Sequence, residues 1–231
     1  MFTLNCQILE MLKTSAPPAA WAGHKPWDWA QFFTHETANL PRERVTRQEL
    51  LEFCRQHSGE ECFLTVMAWG GMNRKHGRSA WNSRHRELLK VVSEIRTANS
   101  LTRRGAYRLF WQARARKSLP GLGAAYFTKL IYFLRPGLDG YIMDQWTAKS
   151  INLLFGSQIE LQLGKKESAT VSDRNDDEDY ERFCACVDEL ALALGCSGAE
   201  AEEKIFSQGR PRANHWRAHV KREWAKKYPG V

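Results

Sequence analysis

Apolar residues recur at three- and four-residue spacing through most of this 231-residue chain, and the strict alternation that a half-buried strand needs is almost absent. That periodicity restricts the fold to amphipathic helices packed on one another, an all-α class. Helices are expected over about 3–13, 27–36, 46–57, 60–70, 79–98, 102–116, 122–135, 145–155, 176–195, 198–207 and 213–227. Thr46 with Glu49 and Ser197 with Glu200 have the spacing of capping boxes. One short run, Ile159-Glu-Leu-Gln-Leu163, alternates like a strand and has no obvious partner.

The segment 164–179, GKKESATVSDRNDDED, is charged and poor in apolar residues, the composition of a mobile loop. The expected organisation is therefore a body over 1–163, a charged loop over 164–179, and helices over 180–231 that pack on the body. Pro17-Pro18 and 23–26 mark turns between the first two helices.

Lys and Arg number 34 against 26 Asp and Glu, a net charge of +8. The distribution says more than the total. Between Arg74 and Arg135 fifteen bases face two acids, Glu87 and Glu94, whereas Asp173–Glu189 holds eight acids and two bases. Segregation of this kind makes a basic face suited to a phosphate backbone, although charge also serves solubility. The six cysteines form no Cys-x-x-Cys pair, and the seven histidines show no zinc signature, so no metal centre is expected. Free thiols, the absence of a leader-like start and the lack of a long apolar run fit a cytoplasmic protein with no membrane partner.

The run 102–117 carries Arg103, Arg104, Arg108, Arg114, Arg116 and Lys117, then breaks at Ser118-Leu-Pro-Gly-Leu-Gly123. Proline ends the first helix, and Gly121 and Gly123 permit a tight turn whose backbone can approach a ligand closely. A second helix starts at once, so its unpaired amides face outward and can bind a phosphate oxygen, directly or through a monovalent cation. A plain turn between packed helices is the simpler alternative; the flanking arginines favour DNA.

Leu119-Pro-Gly-Leu-Gly123 resembles the hairpin of helix-hairpin-helix DNA glycosylases, and Tyr141-Ile-Met-Asp144 resembles the place where that superfamily keeps its essential aspartate. The runs Phe127–Phe133 and Ala68-Trp-Gly-Gly-Met72 look most like bacterial proteins with an 8-oxoguanine glycosylase fold. The resemblance is carried mainly by residues 102–155. It implies a helix-hairpin-helix body with a C-terminal helical extension, acting as a monomer without cofactor on double-stranded DNA that contains a modified base.

The resemblance implies that Asp144 stabilises the sugar cation formed as the N-glycosidic bond breaks. Asp144 also stands where a helix N-cap belongs, and the two roles are compatible. Lys129 lies in a helix apolar nearly all round, where a lysine either pairs, reaches solvent, or serves as the amine that attacks the sugar. The best-known lyases of the superfamily place their lysine two residues after the second hairpin glycine. That position is Ala125 here, and Lys129 lies one helical turn further on the same face, which leaves open a glycosylase that uses Asp144 and water alone.

Chemistry on a base requires taking it out of the stack. The turn 69–78 offers Met72 as a wedge and Asn73, Arg74 and His76 as groups to pair with the orphaned base, or is an ordinary basic loop. The expected activity is base excision, with AP-lyase action if Lys129 is the nucleophile. The resemblance implies repair of 8-oxoguanine as its setting or, as for related folds, removal of hypermodified bases such as glucosylated hydroxymethylcytosine in phage defence. The alternative is a non-catalytic helix-hairpin-helix DNA-binding module.

Overall fold

Side chains at the helix starts explain where most elements begin. The computed structural model describes residues 3–15, 21–164, 169–206 and 215–227. Its α-helices are α1 (Cys6–Lys13), α2 (Pro26–Ala30), α3 (Arg47–Gln56), α4 (Gly59–Trp69), α5 (Arg74–Thr97), α6 (Arg103–Ala115), α7 (Ala124–Leu134), α8 (Gln145–Phe155), α9 (Asp177–Leu194), α10 (Gly198–Phe206) and α11 (His215–Lys227). Reciprocal boxes start α3 (Thr46 with Glu49) and α4 (Ser58 with Glu61), and Ser197 pairs with Glu200 ahead of α10. Each satisfies amides that a helix start leaves without partners.

Two compact units result, Trp21–Gly140 and Met1–Ala20 with Tyr141–Val231. This division departs from the expected one at 163/164. The reason is a contact between segments far apart in sequence: α1 packs on α8, and the Asn5 amide donates to the Leu154 carbonyl at 2.8 Å.

In the first unit, α4 and α7 form the centre. Residues Cys62–Trp69 of α4 and Phe127–Leu134 of α7 are all buried, and α2, α3, α5 and α7 pack on α4. Aromatic contacts fill this core, including Trp69 edge-on to Phe133 at 4.8 Å and Phe110 stacked on Phe127 at 5.2 Å. Helix α2 stops at Ala30, short of the expected residue 36. Helix α5 starts five residues before the expected position, because the Asn73 side chain accepts from the Lys75 amide at 2.8 Å and caps it.

In the second unit, α8 is the centre, packed by α1, α9, α10 and α11. The lone strand-like run finds its partner: β1 (Leu161–Leu163) pairs antiparallel with β2 (Ala169–Val171), Leu161 opposite Val171. Within the expected loop 164–179, Ala169–Val171 thus form β2 and the last three residues begin α9, while its residues 165–168 lie outside the described residues. The Asn175 side chain bonds both the amide and the carbonyl of Glu160, at 2.9 Å each, and Asp176 caps α9. The expected helix start at 213–214 and the basic residues Arg210 and Arg212 also lie outside the described residues. The six cysteines are free thiols, and among the described residues no helix is long and apolar enough to cross a membrane.

Candidate functional site

The hairpin belongs to the first unit. Helix α6 ends at Ala115, and Lys117 turns the chain with φ +55° as its amide bonds the Arg114 carbonyl at 2.7 Å. Leu119 and Leu122 then insert into the core. Leu122 is 0 % exposed, so its side chain anchors the hairpin in the core. Its apolar surface is worth more buried than on a polyanion.

The two glycines differ in what they require. Gly121 has φ +80°, and a methyl placed there would lie 3.1 Å from the His76 carbonyl oxygen and 3.3 Å from its Cα. Gly123 is the N-cap of α7, with φ −78° and ψ 172°, and no side chain caps this helix. The first amides of α7 are thus left without a side-chain cap, as at helix starts that bind anions. Arg116 and Lys117 are exposed at this turn and Arg108 is exposed in the middle of α6; Arg114 in its last turn is half-buried, as are Arg103 and Arg104 at its far end.

Lys129 is 3 % exposed. Its ammonium donates to the Ala125 carbonyl at 2.7 Å and lies 5.8 Å from the Tyr126 ring centre. Its stem runs against Gly70, where an added methyl would meet the lysine Cδ at 2.9 Å. Gly70 has φ −69°, so it is required for space and not for backbone shape. The sequence alone does not reveal that contact.

The turn after α4 is shorter than expected, because α5 takes in Arg74 and His76. Met72 is 0 % exposed and its carbonyl accepts from Trp29 Nε1 at 2.7 Å, so it is a core residue and not an exposed wedge. Asn73, Arg74 and His76 stay exposed at the start of α5, and His76 meets the hairpin at Gly121. One unit therefore gathers the hairpin, Lys129 and the polar groups of the turn. Beside them is a cleft of about 550 Å³ lined by Phe32, Arg74, Lys75, Arg78, Ser79 and Asn82. Phe32 is 51 % exposed, with the Arg74 guanidinium 3.7 Å from its ring centre. Neither Phe32 nor Arg78 carried a motif that would single it out. The fold also brings Glu36, Glu60 and His85 together, an arrangement that spacing along the chain conceals.

Asp144 belongs to the second unit, where its approach strand is fastened at each step. Tyr180 donates to the Tyr141 carbonyl at 3.0 Å, Thr147 to the Ile142 carbonyl at 2.8 Å, and the Asp144 amide to Thr147 Oγ1 at 2.9 Å. The Tyr141 hydroxyl in turn bonds Asp188 at 2.7 Å and fills the space above Gly198. Asp144 caps α8 through Oδ1, which accepts from the amides of Trp146 at 2.8 Å and Thr147 at 3.2 Å. At 9 % exposure the carboxylate is held at the positive end of a helix and aimed by short bonds. Arg217 of α11 lies beside it, with its guanidinium 3.9 Å from the Trp146 ring centre. Burial pushes Arg217 below its ordinary pKa, and the charge of Asp144 acts in the opposite direction.

The all-α architecture with this hairpin is that of a helix-hairpin-helix glycosylase-like protein. The model of the family described as "Putative 8-oxoguanine DNA glycosylase OGG-like protein" matches residues 12–206, and the chain belongs to that family. Searches of curated proteins and of solved structures found no match.

Proposed function

We propose that this protein binds duplex DNA, extrudes a modified base and breaks its N-glycosidic bond, with Asp144 stabilising the cationic sugar. The electron pair of the C1′–N bond leaves with the base. Water then adds to C1′ and loses a proton, giving an abasic site. The observation that carries the reading is the carboxylate of Asp144, a buried cap on α8, in a chain that belongs to an 8-oxoguanine glycosylase-like family. The hairpin and the exposed cations Arg108, Arg116 and Lys117 supply phosphate contacts; the exposed groups Asn73, Arg74 and His76 face the partner strand. A monovalent cation at the hairpin would be held by backbone carbonyl oxygens and would bridge them to a phosphate, while the amides at the start of α7 bind the anion directly.

Lys129 is the candidate amine for a lyase step: its ammonium passes a proton to the departing base, its nitrogen then replaces water at C1′, and a second proton goes to O4′ as the C1′–O4′ bond breaks, leaving a Schiff base with the opened sugar. Its burial supports that role; its hydrogen bond to Ala125 must break first. Duplexes carrying 8-oxoguanine, other oxidised purines or glucosylated 5-hydroxymethylcytosine distinguish repair from excision of hypermodified bases. On the duplex that is cut, Asp144→Asn is expected to lower the single-turnover rate at least ~100-fold while DNA affinity is kept. Wild-type rates in that variant would overturn the assignment. Borohydride trapping of a covalent adduct, lost in Lys129→Met, tests the lyase step separately.

A further inference from the structure

Helix α11 lies beyond the span that the family model matches, yet it is fastened to the helix that Asp144 caps. Trp216, buried to 1 % exposure, donates its indole N–H to Ser150 of α8 at 3.0 Å. Trp224, one further core anchor, packs with Lys149 of α8, whose ammonium lies 5.0 Å from its ring centre. These anchors set the rotation of α11, so the residue after Trp216 is directed to the start of α8. There the Arg217 guanidinium covers the Trp146 ring at 3.9 Å, and the Trp146 amide is the one that donates to Asp144 Oδ1 at 2.8 Å.

We propose that Arg217 is a positioning residue for Asp144. A guanidinium is planar, permanently charged and stiffened by stacking on an aromatic face, so it can hold a carboxylate in one orientation with little loss of side-chain freedom. The electrostatic coupling of the two side chains is consistent with this role. Positive charge beside Asp144 holds the carboxylate in one orientation until the sugar cation develops. Arg217 makes no bond to the reacting atoms in this scheme. The role assigned to it rests on the glycosylase reading above, and it makes α11 part of the active unit.

The test is a double-mutant cycle in the full chain, using the duplex that the wild type cuts. Single-turnover excision rates are measured for the wild type, Arg217→Gln, Asp144→Asn and the double variant, with affinity taken on an uncleavable sugar-fluorinated duplex and Tm recorded for each. Arg217→Gln should lower the rate about 10- to 100-fold, with affinity within about threefold of wild type, and Arg217→Lys should recover part of the loss. In the Asp144→Asn background, removal of Arg217 should cost less than about threefold, because the group it positions is gone. Equal losses in both backgrounds would overturn the proposal, as would a loss accounted for by weaker DNA binding or by unfolding. A wild type that cuts a duplex which Arg217→Gln cuts equally fast sinks this role alone. A wild type that cuts none sinks the glycosylase reading and this role with it.

Discussion

Replacing Gly121 by alanine separates the two glycines of the hairpin. Gly121 has φ +80°, a conformation that costs an L-residue about 1–2 kcal/mol, and the new methyl would sit 3.1 Å from the His76 carbonyl oxygen and 3.3 Å from its Cα. Both neighbours are backbone, so neither can swing aside, and overpacking adds roughly 1 kcal/mol. A total loss of about 2–3 kcal/mol corresponds to a fall in Tm of roughly 4–12 °C for a chain of this size. Gly123 occupies ordinary extended backbone at φ −78° and ψ 172°, so Gly123→Ala meets no backbone strain and should cost less than about 1 kcal/mol. Thermal unfolding by circular dichroism measures both. Gly121→Ala should also weaken duplex binding about tenfold, or ~1.4 kcal/mol, since relief of the contact pushes the hairpin off α5. A Gly121→Ala protein that melts with the wild type would refute the account of this turn.

Salt dependence tests the exposed cations. Arg116→Ala and Lys117→Ala should each reduce the slope of log affinity against log salt by about 1, equally for modified and unmodified duplexes. Acid sensitivity tests His219 of α11: burial pushes its imidazole below the usual value, and its Nε2 is buried without a hydrogen-bond partner. The unfolded state then holds more protons near and below pH ~6.5, so stability is greatest above that pH and falls as the medium is acidified through it. His219→Gln should flatten the fall in Tm between about pH 7.5 and 5.5, and an unchanged profile would exclude the imidazole as its cause.

Helix positions were legible because they depend on local chemistry. Thr46 with Glu49 and Ser197 with Glu200 mark their starts in any context, and the apolar spacing of α7 and α8 follows from burial. Apart from the start of α5, set by the local cap Asn73, errors arose where the neighbour is distant in sequence. Leu161–Leu163 gains a strand partner only when Asn175 folds the later segment back onto Glu160. Met72 reads as a wedge until Trp29 takes its carbonyl and the side chain turns inward. Asp144 as a helix cap was local and readable; Arg217, seventy-three residues later, was not, because only the packing of Trp216 on Ser150 directs it there.

The bond from the Asn5 amide to the Leu154 carbonyl has a consequence for biogenesis. Residues Trp21–Gly140 are contiguous and can acquire their native contacts while the rest of the chain is still being translated. The other unit cannot, since α1 must wait through more than a hundred residues of elongation before α8 emerges to receive it. During that delay Leu9 and Leu12, buried in the finished protein, have no core to enter, so α1 must complete its packing only after α8 has been made.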